Sequence, residues 1–178
     1  MTPQLLFDRW YVKPIEKLKE LPNGDGGFAA LMVALPLYDR FIAAKLKLDG
    51  APTDDAAVRA EMAGDLQLSN DEARRFRAVI RNGFMHQGMG LAGPTQWATS
   101  HIFTERPRFQ VVRGVSTICL DPWKFADRVL REFQMRPELI AISESFPLAT
   151  ITTFEKSDFE TVPNNSVEPT PEKRRGSR

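Results

Sequence analysis

The chain has 178 residues, 42% of them hydrophobic and 26% charged, an ordinary balance for one globular domain with its own core. Its net charge of +1 excludes an overall field that would draw it onto nucleic acid or membrane, so any such affinity must come from a local patch. A single cysteine, Cys119, excludes an intramolecular disulfide, and the only two histidines, His86 and His101, form no H-x-x-x-H or C-x-x-C ligand pattern, so no metal site is expected.

Met1–Trp10 lacks the basic-then-apolar layout of a signal peptide. The longest apolar run, Phe28–Leu37, contains Pro36 and is about half of what spans a bilayer, so a cytoplasmic location is expected. Leu6, Trp10, Ile15, Leu18 and Leu21 recur at helical spacing and predict a short entry segment, then a helix from about Pro14 to Leu21. Pro22–Gly27 reads as a turn; it lacks the Lys-Ser/Thr of a phosphate-binding P-loop.

Phe28 to Leu48 predicts a long central helix, with Pro36 expected to kink it or remove a hydrogen bond near Met32, and Asp49-Gly50-Ala51-Pro52 ends it. Thr53 is placed to cap a third helix over Asp54–Met62, which Gly64 should stop. Ser69, three residues before Glu72, predicts a capping box and a fourth helix running to about Gln87 or Met89. Four helices joined by short loops within residues 1–90 make an up-down bundle.

The pattern then changes. Trp97–Phe103, Phe109–Val112 and Val115–Leu120 are β-branched or aromatic, Arg113-Gly114 is a tight turn, and an antiparallel β element is predicted over 95–120. Its aromatic residues Trp97, Phe103 and Phe109, with Trp123, suit core packing better than base stacking. Asp121-Pro122 supplies an N-cap and a first-turn proline for a helix over 121–136, with Trp123, Ala126, Val129, Leu130 and Phe133 on one face and Pro137 closing it. Leu139–Thr153 carries no decisive pattern, and residues 157–178, rich in Pro, Asn and Ser with a basic end, predict a disordered tail.

The stretch with most chemical content is Val79–Gly90, Val-Ile-Arg-Asn-Gly-Phe-Met-His-Gln-Gly-Met-Gly. Arg81-Asn82-Gly83-Phe84-Met85-His86 resembles the R-x4-H motif of the HEPN superfamily (higher eukaryotes and prokaryotes nucleotide-binding), in which a polar residue commonly follows the Arg. The resemblance covers about half of the chain and implies a mainly α, HEPN-like antiparallel bundle, here with the small antiparallel β element inserted before the last long helix. It further implies a homodimeric, metal-independent endoribonuclease whose two motif helices line one cleft, in a toxin–antitoxin or phage-defence setting with an antitoxin or neighbouring-gene partner.

The residues support such chemistry. RNA carries its own nucleophile, the ribose 2′-OH; His86 can move a proton near neutral pH, Arg81 can neutralise a phosphorane, and Asn82 can orient the imidazole or bind a phosphate oxygen. No Rossmann, Walker or G-x-S-x-G pattern occurs, and no cofactor is expected. Arg74, Arg75 and Arg77 offer a local RNA-binding patch before the motif. At about 100° per residue, Arg81 and His86 stand roughly 140° apart on an unbroken helix, so a site using both needs a loosened helix, a long reach or a second copy. Two rival readings stay open: a non-catalytic dimerisation or nucleotide/RNA-binding module, and purely structural roles for both residues.

Overall fold

The structure, a computed structural model, describes residues 2–80 and 96–141. Within them the protein is mainly helical, with a three-stranded sheet placed before the last long helix. The chain enters through α1 (Pro3–Phe7), whose first turn is capped by the Thr2 hydroxyl accepting from Leu5 N at 3.3 Å. A π-helical turn, Asp8–Val12, joins it to α2 (Lys13–Lys19).

The π turn has a local cause. Pro14 has no N–H to give the Trp10 carbonyl, and its ring would crowd that carbonyl in a regular α-helix. Widening the turn relieves both problems and shifts the phase of the helix, so that Leu6, Phe7 and Ile15 are buried while Trp10 turns outward, 41% exposed.

Gly26 opens α3 (Gly26–Leu48) at a contact that only glycine permits: a Cβ there would lie 2.2 Å from the Leu18 carbonyl oxygen of α2. The α3 helix passes Pro36 without interruption and carries the largest share of the core, including Ala30, Leu31, Ala34, Leu35, Tyr38 and Ile42. It is long and apolar enough to cross a membrane by length and composition, yet most of that stretch is buried inside the protein.

The third predicted helix is longer than its sequence signals imply. Asp54, not Thr53, caps α4 (Asp55–Leu66) by accepting from Ala57 N at 2.8 Å. Gly64 does not stop it; the helix ends only where Gln67 turns left-handed (φ 57°) and Leu68 N reaches back to Ala63 O at 2.9 Å.

The capping box at α5 (Asn70–Ala78) forms as its residues dictate, with Ser69 N donating to Glu72 Oε2 at 2.8 Å and Ser69 Oγ accepting from Glu72 N at 3.3 Å. Phe76 anchors this helix, its ring 6.4 Å from Phe125 and 6.2 Å from Trp97.

The sheet corrects the antiparallel expectation. Its order is β1 (Gln96–Thr99), β3 (Val115–Leu120), β2 (Arg108–Val112); β2 pairs antiparallel with β3, but β1 runs parallel to it. The predicted run Trp97–Phe103 ends as a strand at Thr99, because the chain turns there, with Phe103 N bonded to Ser100 O at 3.1 Å. Lys124 Nζ fixes the crossing segment by donating to His101 O and Phe103 O at 2.9 and 3.0 Å. That crossing carries the chain to the far edge, from which β2 returns through the Arg113-Gly114 turn into the centre of the sheet.

The helix α6 (Pro122–Met135) forms as read, Asp121 Oδ1 accepting from Trp123 N and Lys124 N at 2.9 and 3.1 Å. It lies along α3, where Phe125 meets Tyr38 edge-on at 5.6 Å and Phe133 meets Phe41 and Phe7 at 5.5 and 5.2 Å. Trp97, Phe109 and Trp123 pack against this core as expected, while Phe103 is half-buried outside it. Pro137 closes α6 and also opens a short helix, α7 (Pro137–Ala141), which buries Leu139 and Ile140.

Candidate nucleic-acid interface on α5

The α5 helix leads directly into the Arg81–His86 motif. Arg81, Asn82 and His86 themselves lie outside the described residues, as does the expected tail over 157–178. The described part of the candidate site is therefore the basic helix before the motif, and its three arginines have three different fates.

Arg74 faces solvent, its side chain 65% exposed, paired with Asp71 one turn earlier. Arg74's hydrogen bond in turn holds the exposed Asp71 carboxyl below its usual pKa. Arg75 is half-exposed and bridges to the sheet: its guanidinium carbon sits 4.8 Å over the Phe109 ring, Nη1 donates to Ser116 Oγ at 3.5 Å, and Nε lies 3.1 Å from Asp71 Oδ2.

Arg77 departs from the sequence expectation. Its residue is only 8% exposed, Nε donates to Asp39 Oδ1 of α3 at 3.0 Å, and Nη1 donates to the Asp55 carboxylate and to Asp55 O, the latter at 3.2 Å. A guanidinium held by two carboxylates from two other helices is a clamp joining α3, α4 and α5, and it is not presented to a phosphate in solvent. Of the proposed RNA-binding set, Arg74 and Arg75 remain accessible.

Beside Arg74, a groove of about 450 Å³ runs between α4 and α5, lined by Ala56, Arg59, Ala60, Asn70, Asp71 and Arg74. Each of its arginines already has a carboxylate partner within the protein, Arg59 with Asp55 at 3.0 Å and Arg74 with Asp71. A phosphate entering here must displace those carboxylates.

Sequence reading missed a second buried network, Tyr38–Asp65–Arg128. The Tyr38 hydroxyl donates to Asp65 Oδ2 at 2.5 Å and Arg128 Nη2 donates to the same oxygen at 2.8 Å. Burial first, and then the negative charge of Asp65, push the Tyr38 phenol well above its ordinary pKa. One signal was available: Arg128 stands three residues after Phe125, on the apolar stripe of α6, where an arginine must be paired.

Compared with known proteins, this chain matches no protein-family model, no curated protein and no solved structure.

Proposed function

We propose that this protein is a HEPN-like, metal-independent endoribonuclease that cleaves single-stranded RNA by attack of the ribose 2′-OH, acting as a homodimer through the motif helix. The observation that carries the reading is the order Arg81-Asn82-Gly83-Phe84-Met85-His86 immediately after a helix with a capped start and a Phe76 anchor, with Arg74 and Arg75 accessible on its approach. His86 moves the proton, Arg81 neutralises the charge that develops on phosphorus, and Asn82 orients one or the other. Dimerisation is inferred from the sequence expectation alone: on a helix predicted to run through Gln87, Arg81 and His86 stand roughly 140° apart, which two copies side by side resolve. A toxin or phage-defence effector, partnered by an antitoxin or neighbouring-gene product and working in the cytoplasm, is the setting this chemistry suits.

RNA incubated with the protein in EDTA tests the mechanism. Products ending in 2′,3′-cyclic phosphate are expected. Activity lost on chelation and restored by Mn²⁺ or Mg²⁺ contradicts it, and RNA retained without cleavage favours a non-catalytic binding module instead.

A further inference from the structure

A cavity of about 470 Å³ lies between the C-terminal turn of α4 and the segment that crosses from β1 to β2. It is within the size range of small-molecule sites, and its electrostatics differ from those of the α4–α5 groove. Arg106 and Arg108 both line it, and neither has a carboxylate partner among the described residues. The Arg106 Nε is shut off from solvent with no hydrogen-bond acceptor among the described residues. A buried donor left in that state is costly, so an acceptor supplied by a ligand would be rewarded.

The acidic group in this wall does not cancel the two arginines. Glu105 is held by Arg131 at 3.3 Å and stands 4.0 Å from Arg128, while Arg128 also pairs with Asp65 at 2.8 Å. Arg106 and Arg108 in the wall, with Arg128 and Arg131 tied to it through Glu105, thus make four positive charges against the two carboxylates Glu105 and Asp65, an excess of two. Arg128, itself only 5% exposed, has a further nitrogen, Nη1, without a hydrogen-bond partner among the described residues.

We propose that this cavity binds a phosphate monoester of nucleotide size, with Arg106 and Arg108 holding the phosphate. Charge selects the monoester: at neutral pH it carries close to two negative charges, against one for the diester of a strand interior. Volume selects more than an inorganic ion. The exposed Gln67 carboxamide in the same wall, able to give and accept hydrogen bonds, suits the polar edge of a nucleobase. The phosphate can come from a free mononucleotide or from the 5′ end of a strand. The site is independent of whether the Arg81–His86 motif cleaves RNA.

Calorimetric titration of the full chain at low ionic strength tests this, with AMP, adenosine, inorganic phosphate, and a deoxyhexanucleotide with a 5′-phosphate or a 5′-hydroxyl; deoxy strands offer no 2′-OH to cleave. Saturable binding of AMP without binding of adenosine is expected, and Arg108→Gln and Arg106→Gln should each weaken it by about tenfold or more. Lys17→Gln, an exposed position on α2 that does not line the cavity, should leave it unchanged. Binding of the 5′-phosphorylated strand in preference to AMP identifies a strand end as the source, and the reverse identifies a free nucleotide. Arg108 is exposed, so Arg108→Gln keeps the test decisive even if Arg106→Gln does not fold. Absence of binding by AMP and by the phosphorylated strand, equal binding of adenosine, or unaltered affinity in Arg108→Gln overturns the proposal.

Discussion

Arg77 Nε lies 3.0 Å from Asp39 Oδ1, a contact that joins the helix leading into the motif to the central helix of the core. It turns what looks like a basic surface residue into part of the frame. Arg77→Ala leaves Asp39, with a side chain only 19% exposed, without its counter-charge, and should cost about 3 kcal/mol, the lower end for breaking a buried pair. Arg74→Ala removes an exposed pair and should change stability by less than about 0.5 kcal/mol. Urea denaturation of the two variants checks the contrast; equal midpoints would remove the clamp from the account.

Tyr38 makes stability depend on pH at the alkaline end. Its folded pKa is raised above the unfolded value by burial and by Asp65, so its contribution is fully present below pH about 10 and is lost as pH rises beyond that. Tyr38→Phe should cost about 1–2 kcal/mol near neutral pH by removing the bond to Asp65. The gap between wild type and variant should narrow above pH about 10, which melts over a pH series measure directly. A gap that widens there would mean that the phenol is not held protonated by the fold.

At the β2–β3 hairpin Arg113 and Gly114 both have positive φ, 53° and 80°. Asn-Gly suits such a turn better than Arg-Gly, because Asn enters the left-handed region at lower cost. Arg113→Asn should therefore raise stability by up to about 1 kcal/mol, seen as a later urea midpoint. An earlier midpoint would assign Arg113 a contact that outweighs its backbone strain.

These residues mark where sequence was legible and where it was not. Local chemistry was readable: the Ser69–Glu72 box, the Asp121-Pro122 start of α6 and the Arg113-Gly114 turn each depend on neighbours a few positions away. Choices made by distant partners were not. Nothing near Gln96–Thr99 says that β1 will pair parallel with Val115–Leu120, and nothing near Arg77 announces Asp39 or Asp55. Gly64 reads as a stop, yet packing carried α4 past it to Gln67, and the phase shift at Asp8–Val12 arises from a proline whose effect falls on the turn before it. Of the candidate site, Arg74 and Arg75 are accessible on α5, Arg77 is not, and Arg106 and Arg108 drew no attention because their cavity exists only once α4 and the β1–β2 crossing meet.

The ribonuclease reading stands most directly on Arg81 and His86, and one paired measurement tests it: thermal melts and RNA cleavage in EDTA on wild type, Arg81→Ala, Arg81→Lys and His86→Ala. A proton carrier at His86 predicts a loss of about 10²–10⁴-fold in cleavage with little change in melting. Arg81→Ala should behave alike, and Arg81→Lys should recover little, since an ammonium cannot reproduce the planar fork. Alanine variants that melt early but cleave as fast per folded molecule as wild type would contradict the account and return both residues to the frame.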